Sequence, residues 1–122
     1  MTGIALVGAA ETTELGKIPP LSQNQLHADA ALNAMADAGI TAKDIDGIAT
    51  AGDRPTDLAY YLGITPTWVD GTSVGGCSFM LHVRHAVAAI ASGQCTTVLI
   101  THGESGRSGV GRGGFPRAPA SL

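Results

Sequence analysis

With 122 residues, 44% of them hydrophobic and 14% charged, the chain has the length of one domain and the composition of a folded protein, not of a disordered tail. A net charge of −3 supplies no electrostatic footprint for nucleic acid or an anionic membrane, and low charge with 17 glycines implies a surface that is partly covered by something else. No run approaches the roughly 20 apolar residues of a bilayer span, and the N-terminus lacks the basic start of a signal peptide, so a soluble, cytoplasmic protein is expected.

In chain order, residues 3–9, GIALVGA, form a nearly continuous apolar run that reads as a strand covered on both faces. Residues 11–20 read as loop. Ser22 followed by Gln25 is a capping box, and the helix over residues 26–38 sets Ala28, Ala31, Leu32 and Met35 against Asp29, Asn33 and Asp37. Gly39 ends it, with Ile40 placed for the apolar contact that follows such a stop. Residues 41–44 form a short capped turn that delivers Ile45 and a second strand over residues 47–51. Pro55 opens a helix running to Leu62, with Leu58, Tyr61 and Leu62 facing inward and Gly63 closing it. Residues 68–70, WVD, stand where the next strand feeds a further helix.

That helix, over residues 74–92, is the segment around which the rest is arranged. Phe79, Val83, Ala86, Val87 and Ile90 recur at spacings of three and four, and residues 86–91 are apolar nearly all round, which predicts burial. After Gly93, residues 96–101, TTVLIT, are β-branched and apolar and form the strongest strand. From Gly103 onward glycine, serine, proline and arginine replace any period, so residues 103–122 read as loop. The pattern β-α-β-α-β-α-β predicts an α/β fold, a mostly parallel sheet with crossover helices, and a ligand site beyond the carboxyl ends of its strands, at the loop over residues 71–76.

Gly75 and Gly76 let the backbone approach a ligand and leave unpaired N–H groups at a helix start that favours negative charge. Cys77, in the first turn, is either a nucleophile activated by the dipole or a small packing residue. Cys95 reads as packing. With no CxxC spacing, neither a disulfide framework nor a metal site is expected. His82 and His85 share a helical side without a third ligand, so hydrogen-bonded structural histidines are expected. His27 reads as a surface residue. His102, at the end of the last strand, is better placed for a site. Gly109, Gly111 and Gly114 have GxGxxG spacing but no preceding strand or following helix, which excludes the dinucleotide reading. Arg107, Arg112 and Arg117 in that loop fit a phosphate, an acidic partner or solvent equally well.

The block VGGCSFMLHVRHAVAAIASG followed by TTVLITHGES resembles the nucleophile-helix region of the thiolase superfamily, in particular thiolases of the sterol-carrier or lipid-transfer type. Ile90, Gly93 and HGES (residues 102–105) match its helix-end markers and its strand ending in GGxE; IALVGAAET and the segment from LGI to WVDG also fit. The resemblance runs over essentially the whole chain but implies only the N-terminal portion of a thiolase-like fold, because the later His, Asn-Glu and second-Cys motifs have no counterpart. It implies a thiolase-like region at 1–102, with 103–122 beginning a missing segment, and a fragment that is inactive alone.

The resemblance further implies an acyl-CoA C-acyltransferase of the acetyl-CoA acetyltransferase type. Cys77 would be its nucleophile, Gly75, Gly76 and His102 its substrate-binding residues, and a coenzyme A thioester its substrate, with no other cofactor. Cys77 stands one residue nearer Ile90 than the family's reactive cysteine stands to its isoleucine, which puts Gly76 at the nucleophile position. The alternatives are therefore a cysteine-independent aldolase, lyase or lipid-transfer relative acting on acyl-CoA side chains, and a non-catalytic binding or dimerisation module. The family implies a homo-oligomer, or pairing with a longer or accessory acyl-CoA-binding chain.

Overall fold

Gly47–Ala51 (β1) is buried along its whole length and forms the middle of a three-stranded parallel sheet, with Trp68–Asp70 (β2) on one side and Val98–His102 (β3) on the other. The structure, a computed structural model, describes residues 3–14 and 22–103. The connecting helices are α1 (Gln23–Ala38), α2 (Pro55–Leu62) and α3 (Ser78–Ala91), with a 3-10 turn at Ala42–Asp44 before β1. This is the α/β architecture expected from the sequence.

Local chemistry sets most element ends. The Ser22 hydroxyl accepts the Gln25 amide at 3.2 Å while the Gln25 side chain accepts the Ser22 amide at 2.8 Å, closing the capping box. Gly39 adopts φ +72°, and the Ile40 amide donates back to the Met35 carbonyl at 3.0 Å. Pro55 opens α2 and Gly63 closes it at φ +77°.

Ala28, Ala31 and Met35 of α1 and Leu58 and Ala59 of α2 pack on Ile48 of β1 and Leu99 of β3, which forms the core. Full burial of Ile48 and Leu58 contributes about 2–3 kcal/mol each. Alternation along β3 then sends Leu99 and Thr101 towards α1, and Val98, Ile100 and His102 to the α3 side.

Three expectations are corrected. Residues 3–9 are not a strand: they lie along α1 and pair with no strand among the described residues, leaving Ile4, Leu6 and Val7 exposed. Side chains on the polar face of α1 hold this segment instead. The Asp37 carboxylate accepts the Ala9 amide at 3.0 Å, the Asp29 carboxylate accepts the amide and hydroxyl of Thr13, and the Asn33 amide donates to the Glu11 carbonyl. Gly8 lies so close that a Cβ there would stand 2.6 Å from the Ala34 carbonyl oxygen.

The second correction concerns α3, which is not buried all round. It buries Ser78, His82, Ala86 and Ala89, small or polar groups that let it approach β1 and β3, while Phe79, Met80 and Val83 stand 47%, 63% and 48% exposed. The helix also begins at Ser78, later than expected, because Gly75 takes φ +92°. Third, Tyr61 and Leu32 are exposed, so only Leu58 and Leu62 of the expected α2 set, and Ala28, Ala31 and Met35 of the expected α1 set, face inward. The residues from 104 onward, including the GxGxxG spacing and its arginines, lie outside the described residues.

Candidate functional site at the carboxyl edge of the sheet

The loop between β2 and α3 is tied down by polar side chains of the helix it feeds. Ser78, fully buried, accepts the Val74 amide at 2.9 Å and donates to the Gly75 carbonyl at 2.7 Å. One turn on, His82, also fully buried, donates from Nε2 to the Thr72 carbonyl at 2.8 Å, leaving Nδ1 without a partner among the described residues. A further turn on, His85 Nδ1 meets the Asp70 carboxylate at 2.6 Å, and that carboxylate also accepts the amide and hydroxyl of Thr72. Burial works to raise the pKa of Asp70, but the bonds from Thr72, and then His85, hold it below the ordinary carboxylate value. His82 and His85 are thus hydrogen-bonded structural groups that shape the turn.

That turn presents Gly75, Gly76 and Cys77 to solvent. Cys77 is the N-cap of α3, and its thiol meets only the Val74 carbonyl, at 4.0 Å, among the described residues. The amides of Gly76 and Cys77 have no partner there either, so the helix start offers free donors. Beside it, the rings of Phe79 and His102 stand 6.1 Å apart and tilted by 46°, joining the first turn of α3 to the end of β3.

A groove of about 530 Å³ opens along β3, lined among others by Phe79, Val83, His102, Leu6 and Glu11 and by the buried His27 and Thr101. The structure therefore brings His102 into the groove and leaves Gly75, Gly76 and Cys77 outside its lining, at the helix entrance.

His27, expected at the surface, is 2% exposed. Its Nδ1 lies 2.6 Å from the Thr101 hydroxyl and its Nε2 3.0 Å from the Gly103 carbonyl oxygen. Burial pushes its pKa below 6.5, against the upward pull of the Gly103 carbonyl and Asp53. The signal was in the sequence: His27, Ala31 and Met35 are spaced by four and so share the buried face of α1. Among the described residues no group of three or more His, Cys, Asp or Glu is placed to hold a metal, and no helix is long and apolar enough to cross a membrane. Both cysteines are free, Cys77 exposed and Cys95 buried.

The fold is thiolase-like, and the likeness in sequence is to SCP2-thiolase-like proteins and to lyase and aldolase relatives. The 17-hydroxy-3-oxo-4-pregnene-20-carboxyl-CoA lyase of Mycobacterium tuberculosis is 32% identical over 114 residues, 90% of this chain and 30% of that protein. The Ltp2-ChsH2(DUF35) aldolase structure is 31% identical with a TM-score of 0.73, over 87% of this chain and 30% of that one. A monomeric SCP2-thiolase-like protein type 1 from Mycobacterium smegmatis is 28% identical with a TM-score of 0.66, over 80% of this chain and 22% of that one. The chain thus spans less than a third of the length of these relatives. No protein-family model matches it.

Proposed function

We propose that this chain forms part of a cysteine-independent, thiolase-like carbon–carbon lyase acting on the side chain of an acyl-CoA. The observation that carries the reading is its likeness, at 31% and 32% identity, to an aldolase and a carboxyl-CoA lyase. The site's geometry is compatible: the Cys77 thiol has no base beside it among the described residues, whereas free amides stand at the α3 start and the His102 imidazole lines the groove.

In the proposed reaction a base takes the proton of a β-hydroxyl, the Cα–Cβ bond breaks, and its electron pair moves into the thioester to give an enolate. The former Cβ leaves as the carbonyl carbon of a ketone, and Cα then takes up a proton to give the shortened acyl-CoA. The Gly76 and Cys77 amides at the α3 N-terminus are suited to the enolate oxygen. His102 is suited to proton transfer. The protein is proposed to act in the cytoplasm, as an oligomer or with a longer partner chain.

A mass balance tests this on the full protein. Retro-aldol cleavage of a 3-hydroxyacyl-CoA whose C3 carries two further carbon substituents releases a ketone and consumes no free coenzyme A, whereas thiolysis of a 3-ketoacyl-CoA consumes one coenzyme A per bond broken. Ketone release without coenzyme A consumption is expected; activity only on 3-ketoacyl-CoA with free coenzyme A would overturn the reading. The exposure of Cys77 at a helix start favours that acyltransferase reading as the second.

A further inference from the structure

Two bonds from one buried ring bracket His102. Thr101 and Gly103, its neighbours in the chain, are the two residues that His27 contacts, at 2.6 Å and 3.0 Å. A neutral ring satisfies both with one tautomer: the proton on Nε2 donates to the Gly103 carbonyl, and Nδ1 accepts from the Thr101 hydroxyl. Thr101 faces α1 and His102 the opposite side of β3, so a grip on the α1 side fixes the strand end from which the His102 ring projects towards Phe79. The same corner is tight elsewhere. The Gly103 amide donates to the Ala51 carbonyl at 3.3 Å, and a Cβ on Gly52, which has φ +99°, would run into the Gly103 carbonyl oxygen.

We infer that His27 is a positioning residue that holds the end of β3 from both sides of His102 and thereby sets where the His102 ring stands in the groove. Of the lyase proposal it uses only the naming of His102 as a site group. The titratable groups whose charges act on His27 are Asp53 from the loop after β1 and His102 from β3, and Glu11 of the N-terminal segment lines the same groove. Protonating the ring puts a hydrogen on Nδ1, so the Thr101 hydroxyl must turn from donor to acceptor, and a charge is left in a corner buried from water, which the closed grip disfavours. Acid thus releases the strand end, and the ring's depressed basicity keeps the grip closed near neutrality.

Nuclear magnetic resonance on the unliganded chain and on His27→Gln tests this without substrate, so failure of the lyase reading leaves the result unaffected. The readouts are the protection factor of the Gly103 amide, the Phe79–His102 ring contact and, as reference, the Leu99 amide. In the wild-type chain, lowering the pH through the His27 ring titration is expected to cut Gly103 protection about tenfold or more and to weaken the ring contact. Leu99 protection should change little. Glutamine keeps a donor for the Gly103 carbonyl without a titrating ring, so in His27→Gln both readouts should stay constant over that range. Should the variant not fold, the wild-type titration decides alone. The inference is overturned if the ring titrates while Gly103 and the contact stay unchanged, or if Leu99 loses protection in parallel, as a purely structural role requires.

Discussion

Asp46 and Thr96, fifty positions apart, are joined by three hydrogen bonds: the Thr96 amide reaches both carboxylate oxygens, at 2.9 and 3.0 Å, and its hydroxyl reaches one of them at 3.1 Å. The Thr97 amide adds a fourth bond at 2.9 Å. One carboxylate ahead of β1 therefore fixes the entry of β3, the neighbouring strand that ends in His102. Replacing it in Asp46→Ala exposes these donors to water and costs about 1 kcal/mol, since the contact is solvent-screened. Urea denaturation measures it.

The same carboxylate makes stability depend on acid. Burial raises the pKa of Asp46, but the amides of Thr97 and Thr96 and the Thr96 hydroxyl outweigh it and hold the group below 3.8; Asp70 is depressed likewise. In the unfolded chain both return to the ordinary value, so that state binds more protons. Their contribution is complete above pH 3.8 and is lost as the pH falls from there through the folded values. His27, depressed below 6.5, contributes with the same sign at higher pH: fully above 6.5, and less as the pH falls through its folded value. Thermal denaturation from pH 7 to pH 3 should show both declines, and Asp46→Ala should flatten the lower one.

The two thiols differ in reactivity. Cys95 is buried, and burial together with the nearby Asp46 charge raises its pKa, whereas Cys77 is exposed. Iodoacetamide on the folded chain should label Cys77 alone, with Cys95 reacting only in denaturant. Peptide mapping by mass spectrometry reads this directly, and equal labelling in the folded state would contradict the packing at Gly47 and Cys95.

Gly52 should not tolerate a side chain. Its φ of +99° already disfavours one, and the Gly103 carbonyl occupies the space, so Gly52→Ala is expected to cost about 2–3 kcal/mol. Gly39→Ala, with φ +72° and open space around it, should cost only about 1 kcal/mol. Chemical denaturation of the two variants compares strain alone with strain plus collision.

The features legible in the sequence were those that neighbouring residues settle among themselves. The Ser22–Gln25 box, the stops at Gly39 and Gly63 and the proline start of α2 all stand where the spacing put them. Elements that depend on distant partners were not legible. Residues 3–9 have strand composition, yet no run of apolar residues records that Asp37 takes the Ala9 amide while Asp29 and Asn33 hold Thr13 and Glu11 just beyond. For α3 the period was right and the face wrong, because Ser78, His82, Ala86 and Ala89 allow closer approach to the sheet than Phe79 or Val83 would. Strand order placed His102 at the edge where the groove opens, but residues 71–76 lie outside its lining, and His27 was missed because its partners lie more than seventy residues away.

The central claim, a lyase that does without a thiolate, is tested most directly by Cys77→Ala in the full protein, assayed for ketone release from an acyl-CoA with a tertiary hydroxyl at C3. The predicted result is a rate within about twofold of wild type, because a bystander thiol adds nothing to the transition state. A loss on the order of 10³-fold or more, with the fold intact, would be that of an excised nucleophile and would contradict it.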